Sequence, residues 1–530
     1  MAKLHTHQVG VGGSGINPEG ADIVLSDQWL SEATDVWYTK NGTLSQRPGT
    51  KYIGPPLATG GGSGSQPVEM WIFRTPAEQR EYYQASSTGM YELVGGVWTA
   101  TAIVAGSGGA YNPGLRVIPI TFNGKSMIWQ ADSASSYLRH VQAASGGTWV
   151  EIATTAGPIP VPAAVLSAWG RLWVVDQSGN LTYSELLDET SWHNGTPGSN
   201  TIALEDVWPV PGDTIVSMVE HNGSLVIFGE KSIIIYGSPD QVAAGNMVKV
   251  EGLTGVGCRS AGSIQSIGDD VLFLTVQGLT SLGRTIQEKS MPIRPVAPHI
   301  SDTISSLYPA WSWSAAQSIY SAYSPRHQVY YLTPGNGELM YAFDMSLGIA
   351  NVRVTTHSID SDFPKWYALG TGVLANDAEQ QEVLVQAGRY DDADGEFGIL
   401  RFTQDETQDF VSSAGSYTNA KPIRTMSFST PWLDGGEDAE MLLKLLKSIR
   451  AVIVGGDNLV ATLNIYYDYS TTVAVTRTVT VANTSVPHNV KWMGARAGQV
   501  YKLQISVANV NVATKLSRLA VNMTLGRSMR

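Results

Sequence analysis

Apolar and polar positions change over in short runs through most of the chain, and the runs recur. Residues 168–192 show the unit. Leu172-Trp173-Val174-Val175 is a β-branched and aromatic run, Ser178-Gly179-Asn180 is a turn signal, and residues 181–184 alternate, so the segment predicts a hairpin. The pattern returns as Leu225-Val226-Ile227-Phe228, a Gly229-Glu230-Lys231 turn and Ser232-Ile233-Ile234-Ile235-Tyr236. Comparable turns fall at Glu78-Gln79-Arg80, Asn123-Gly124-Lys125, Trp169-Gly170-Arg171, Asn222-Gly223-Ser224, Gly268-Asp269-Asp270, Pro325-Arg326-His327 and Asp377-Ala378-Glu379. Their spacing of roughly 45 to 58 residues is that of four-stranded propeller blades. Most are followed by a continuous apolar run, as expected of strands packed on both faces. The pattern predicts a mainly β fold, a β-propeller of seven blade-like repeats, or six if the first or last unit belongs elsewhere.

The flanks read differently. Residues 1–18 are Gly-rich and polar and suggest a flexible arm. Asn41-Gly42 between apolar runs is a hairpin signal, and Pro48-Gly49 reads as a second turn. Residues 57–66 form a Gly/Ser linker, and 412–420 a second polar boundary. The expected organisation is an N-terminal arm with platform strands (1–66), the propeller (67–411) and a small C-terminal β-sandwich-like platform domain (412–530). In that last domain one helix is predicted over 437–447: Glu437, Asp438 and Glu440 supply an acidic first turn, and Met441-Leu442-Leu443-Lys444-Leu445-Leu446-Lys447 an apolar face with cations toward its end. Alternating strands follow over 450–454, 459–468, 473–481, 490–493, 501–508 and 519–525.

Composition narrows the function classes. Only 15% of residues are charged and 55 are Gly, which favours strands and turns. The one cysteine, Cys258, leaves no intramolecular disulfide or cysteine metal cluster and reads as a buried apolar residue. Residues 1–18 lack the pattern of a signal peptide, and no apolar stretch is long enough to span a bilayer, so synthesis in a cytoplasm is expected. The net charge of −12 is uneven: residues 421–530 hold 13 Lys and Arg against 6 Asp and Glu, the first 420 residues 21 against 40. The acidic part argues against tight, sequence-independent nucleic-acid binding, and the two parts suit different partners.

Candidate chemistry is sparse. The nine His show no metal-ligand spacing, and neither a Gly-x-Ser-x-Gly elbow nor a phosphate-cradling loop is found in a strand-to-helix context, so neither enzyme activity nor a cofactor is expected. Asp391, Asp392, Asp394 and Glu396 place hard oxygen ligands close together as calcium requires, but without the rest of a twelve-residue loop they read first as an acidic hairpin tip. Ser145-Gly146-Gly147-Thr148-Trp149 is similar to the end of a sialidase-type turn motif without its Asp, and reads as a turn before a core Trp. Asp188 and Glu189 beside Trp192 raise a glycosidase reading, two carboxylates and a sugar-stacking ring, which sequence adjacency alone does not support. Two irregular stretches, 186–212 and 287–313, are long enough for functional loops.

Several motifs resemble one family. Gly15-Ile16-Asn17-Pro18, Ala33-Thr34-Asp35-Val36, Asn41-Gly42 and Arg47-Pro48-Gly49 look like the start of tail nozzle proteins of short-tailed bacteriophages, also called tail tubular protein B or packaged-DNA stabilisation proteins. The Leu172-Trp173-Val174-Val175 strand, Tyr183-Ser184 and Asp188 to Trp192 resemble their blade unit, Ser232 to Tyr236 the following blade, and Leu525-Gly526-Arg527-Ser528-Met529-Arg530 their ending. The resemblance covers most of the chain. It implies a virion structural protein: a homohexameric tube below portal and adaptor rings, a propeller in each subunit, a platform from the terminal regions, a tail fibre or spike as neighbour, and passage of double-stranded DNA during ejection. On that reading Asp188, Glu189, Trp192, Glu288 and Arg294 are candidate channel or gate residues. Lys421, Arg424, Arg527 and Arg530 are candidates for adaptor docking. The rival reading is a glycan-binding or polysaccharide-degrading propeller acting on a host surface.

Overall fold

The computed structural model describes residues 4–528 apart from short segments, of which those of six residues or more are 59–66, 104–110, 131–138, 193–200, 238–246, 288–293, 307–318, 359–364, 373–381, 389–395, 410–420 and 436–441. Six of the seven predicted turns fall between the first two strands of separate sheets, and the seventh, Asp377-Ala378-Glu379, lies outside the described residues between two strands of a further sheet, so the described strands form a seven-bladed β-propeller. Blades 1 to 4 are four-stranded antiparallel sheets over 67–101, 117–151, 164–203 and 215–254. Blade 5 has three strands over 265–281, and blade 6 four over 320–358. The second strands are the continuous apolar runs, and Leu172 to Val175, Leu225 to Phe228 and Val271 to Leu274 are buried throughout. Their side chains face both neighbouring blades, so separate apolar clusters fill the wedges between blades 3 and 4 and between blades 4 and 5.

Blade 7 closes the ring with borrowed chain. Its strands Lys365–Gly372, Glu382–Gly388 and Glu396–Thr403 are completed by Gly49–Tyr52, which pairs antiparallel with the third, and by the short Leu57–Ala58. The inner strand Lys365–Gly372 packs against Pro67–Arg74 of blade 1. Pro48-Gly49 is therefore the entry to a strand and not a turn, and part of residues 1–66 belongs to the propeller. The boundary at 57–66 divides the sequence but not the packing.

The platform is a sandwich of two sheets whose shared core includes Ile449, Ile453, Leu463, Ile465, Trp492 and Ile505. One sheet orders His488–Met493, Leu442–Val454, Lys515–Ser528, Leu44–Gln46 and Val36–Tyr38, with Leu4–Val9 also paired to Lys515–Ser528. The other continues blade 6: from Arg353–Ser358 the ladder passes through Glu32–Thr34, Met426–Ser429, Tyr501–Ala508 and Leu459–Tyr467 to Val475–Val481, making one nine-stranded sheet. A single apolar cluster consequently runs from blades 5 and 6 into the sandwich.

Two expectations are corrected. Residues 442–447 are strand, the first half of Leu442–Val454, and the described residues contain no helix there; 436–441 lie outside them. The propensity of Leu-Leu-Lys-Leu-Leu-Lys for helix is overridden by two flanking strands that pair with it and a core that takes Leu446, Ile449, Ala451 and Ile453. The register shifts between Leu442 and Lys444 and between Leu446 and Ser448, which blurs alternation into something helix-like. The arm is likewise not free: Leu4–Val9 is a six-residue strand in register with Leu519 to Thr524. Among the described residues the α-helices are α1 (Leu282–Gln287) and α2 (Ser301–Ser306), both beside blade 5, and no helix is long and apolar enough to cross a membrane.

Candidate functional site

The loop over 184–192 leaves the third strand of blade 3 and folds over the turns of blades 2 and 3. Trp169-Gly170 and Asn123-Gly124 both take positive φ, so each hairpin turns tightly and exposes backbone to the loop. The Leu187 N–H donates to Gly170 O at 2.7 Å, and Asn123 Nδ2 donates to Leu187 O at 3.0 Å. A Cβ on Gly170 would lie 2.9 Å from Leu186 Cδ1, so the close seat of the loop depends on this glycine. Arg171 Nη1 donates to Ser184 O at 2.7 Å, and Leu172 N to Ser184 Oγ at 3.0 Å, which anchors the start of the loop.

Each sequence candidate in the loop is committed to holding its shape. Asp188 accepts from the backbone N–H and hydroxyl of Thr190 at 2.8 and 2.7 Å, and these bonds hold its carboxyl below the usual carboxylate range. Glu189 is buried and ion-paired with Lys125 across the gap to blade 2. Trp192 is 1% exposed, with Nε1 donating to Glu189 O at 2.7 Å. A buried ring cannot stack on a sugar, and a carboxylate locked to a lysine is not free to protonate a leaving group. What the loop does expose is Leu186 and Leu187, both more than half accessible, with Leu187 held at φ +56°.

The other candidates are scattered. Arg294 is exposed, while Glu288 lies outside the described residues, as do Asp391, Asp392, Asp394, Arg424 and Arg530. Glu396 starts a strand of blade 7, Lys421 pairs across a short ladder with Asp409, and Arg527 lies in Lys515–Ser528; the side chains of these three are outside the described set. No group of three or more His, Cys, Asp or Glu suited to a metal occurs among the described residues. Cys258 is fully buried, and burial pushes its thiol up to about 12.

Three sites were not singled out in the sequence. Asp35 and Arg47 pair at 2.8 Å with both side chains buried, and Asp35 also accepts from Ser358 N and Oγ, tying the platform hairpin to blade 6. Lys444 is 1% exposed and donates to the carbonyls of Leu442 and Gln499. A cleft of about 580 Å³ opens between blades 4 and 5, lined by Glu230, Lys231, Val256, Thr275, Val276 and Gln277. Burial and the nearby Asp213 raise the Glu230 carboxyl, while the adjacent Lys231 opposes that shift. Gly-Val-Gly over 255–257 carried the signal for the cleft: a Cβ on Gly257 would meet the Glu230 backbone at 2.1 Å.

Comparison with known proteins returns no matching family model and no matching curated protein. Among solved structures the chain is similar to the computationally designed Ika8 protein (TM-score 0.34, 9% identity, 66% of this chain and 100% of that one). It is similar to the extracellular domain of a one-component system of B. thetaiotaomicron (TM-score 0.38, 11% identity, 88% and 59%). A third is the exo-β-1,3-galactanase of Phanerochaete chrysosporium, solved with galactose (TM-score 0.27, 8% identity, 88% and 100%). At TM-scores this low the likenesses carry nothing about activity.

Proposed function

We infer that the chain is a structural subunit of a phage tail nozzle, a ring-forming conduit that sits below portal and adaptor rings and retains, then guides, double-stranded DNA. The observation that supports this reading most is the way propeller and platform are built into each other. Blade 6 runs on into the platform sheet, blade 7 is closed by a platform-side strand, and the first and last strands of the chain are paired. A subunit under axial load from packed DNA is served by modules joined through hydrogen-bonded sheet, which resists compression where a flexible linker does not. Of the residues on which the glycosidase alternative rests, Glu189 is paired with Lys125 and Trp192 is buried, which favours the structural reading of this loop.

The test is assembly. Purified protein, alone and mixed with a cognate adaptor ring, is expected to give ring-shaped particles in negative stain and a multiple of the 56.8 kDa chain mass. Monomers under every condition, or release of reducing sugar from host polysaccharide that is lost in Asp188→Asn, would overturn the reading.

A further inference from the structure

We propose that the solvent face of the platform's first sheet is a binding surface for the phosphate backbone of duplex DNA. Four of its seven strands carry this face, and these, Leu4–Val9, Leu442–Val454, His488–Met493 and Lys515–Ser528, contain no Asp or Glu. In a chain with 46 acidic and 34 basic residues this is a marked local departure. Register decides which side chains share the face. Arg450 pairs directly with Lys491 on one side and with Ala520 on the other; Val452, two residues on, pairs with Asn489 and Arg518. Since alternate residues of a strand point the same way, Lys491, Arg450 and Arg518 stand together on the outer face. All three are exposed, and none enters an ion pair found among the described residues.

The rest of that face suits phosphate better than protein. In the neighbouring rows stand Asn489, Gln8, Thr6, Asn522 and Ser448, with Thr6 Oγ1 donating to Asn522 Oδ1 at 2.8 Å and Asn522 Nδ2 to Ser448 Oγ at 3.2 Å. Arg, Lys, Asn, Gln, Ser and Thr are the side chains that contact DNA backbones without reading sequence. A tight protein interface has a central apolar anchor. Here the exposed large apolar side chains, Met493 and Leu4, lie on opposite edge strands and leave the centre without one. No aromatic ring stands on the face to stack a base, since Trp492 points into the core at 1% exposed, so a single strand has no added hold. At about 0.1 M salt, the lower end of the titration below, exposed charges more than about 10 Å apart are largely screened, so the acidic body does not cancel the patch. A weak grip of this kind would brake DNA in the conduit without locking it. That role rests on the nozzle reading, whereas the binding itself does not.

The experiment is fluorescence anisotropy of the full chain with a labelled duplex over a range of salt. Three phosphate contacts predict a log–log salt slope near −2.7, at about 0.9 per contact, with no dependence on sequence. The triple variant Arg450→Gln, Lys491→Gln, Arg518→Gln should lose most of that slope and bind at least about tenfold more weakly at low salt, while its thermal melt and assembly stay those of the parent. Arg450→Lys should keep the slope. Wild-type protein without duplex binding at low salt, or a triple variant that binds as well as the parent, overturns the proposal. So does displacement of the duplex by poly-glutamate more readily than by unlabelled duplex, which would assign the face to an acidic protein. Rings that form normally while duplex binding fails would sink this surface and leave the nozzle reading standing; binding without rings would do the reverse.

Discussion

Lys125 and Glu189 illustrate how a residue that reads as chemistry can be structure. The pair joins blades 2 and 3, and Glu189 contributes its backbone carbonyl to Trp192 as well. Glu189→Gln is expected to destabilise the chain by about 1 kcal/mol, since half-exposed Lys125 loses its carboxylate partner, with no change in any sugar-directed activity. Urea unfolding gives the measurement, and an unchanged midpoint would refute the structural role. His357 makes a second prediction. It is fully buried beside Tyr331 and Phe402, and burial together with the Arg47 charge lowers it to about 3. The folded state therefore holds it neutral at pH values where the unfolded chain, near 6.5, takes up a proton. Its contribution is intact above about pH 6.5 and is lost at up to about 1.4 kcal/mol per unit as pH falls toward 3. In His357→Leu the stability should vary less over that window, as urea midpoints measured across it would reveal; an unaltered pH profile would reject the assignment.

At the scale of elements, the turns were the most legible feature and the platform's first strand the least. Asn123-Gly124 and Asn222-Gly223 announce tight hairpins because Asn and Gly accept positive φ, and both do so here. Trp169 takes the same conformation at φ +51° although tryptophan has no such preference, and it was found only through its repeat position. Only the second half of Leu442–Val454 is legible as strand, because its first half has helical composition and its register slips there twice, between Leu442 and Lys444 and between Leu446 and Ser448. Likewise Gly49–Tyr52 looked like the end of an N-terminal segment, since nothing local reveals a partner at Leu400 to Thr403. Deleting residues 1–58 should therefore open blade 7 and strip the platform of its N-terminal strands. The expected outcome is loss of a cooperative melt and strong binding of a hydrophobic dye; a truncated chain with a parent-like melt would contradict the shared architecture.

For the whole molecule, the uneven charge is the property that matters most. Counted along the sequence it only says that two regions face different surroundings. The fold turns the basic excess into a specific face, with Lys491, Arg450 and Arg518 drawn together from three strands far apart in sequence. Raising salt should weaken duplex binding steeply while leaving ring assembly, if it is held by the shared sheets and apolar packing of neighbouring copies, much less affected. Parallel anisotropy and light-scattering titrations separate the two.

By itself the chain determined the mainly β class, a run of blade-like units, most of their turns and the buried second strands, because periodicity and turn chemistry are local and repeat; the strand pairing fixed the count at seven. Only the tertiary structure decided that residues 442–447 are strand, that the N-terminal strands complete blade 7 and the platform, that Asp188, Glu189 and Trp192 brace a loop, and that three cations share one face. Each of these depends on a partner distant in sequence, and strand pairing, burial and charge grouping are properties of where the chain returns to itself.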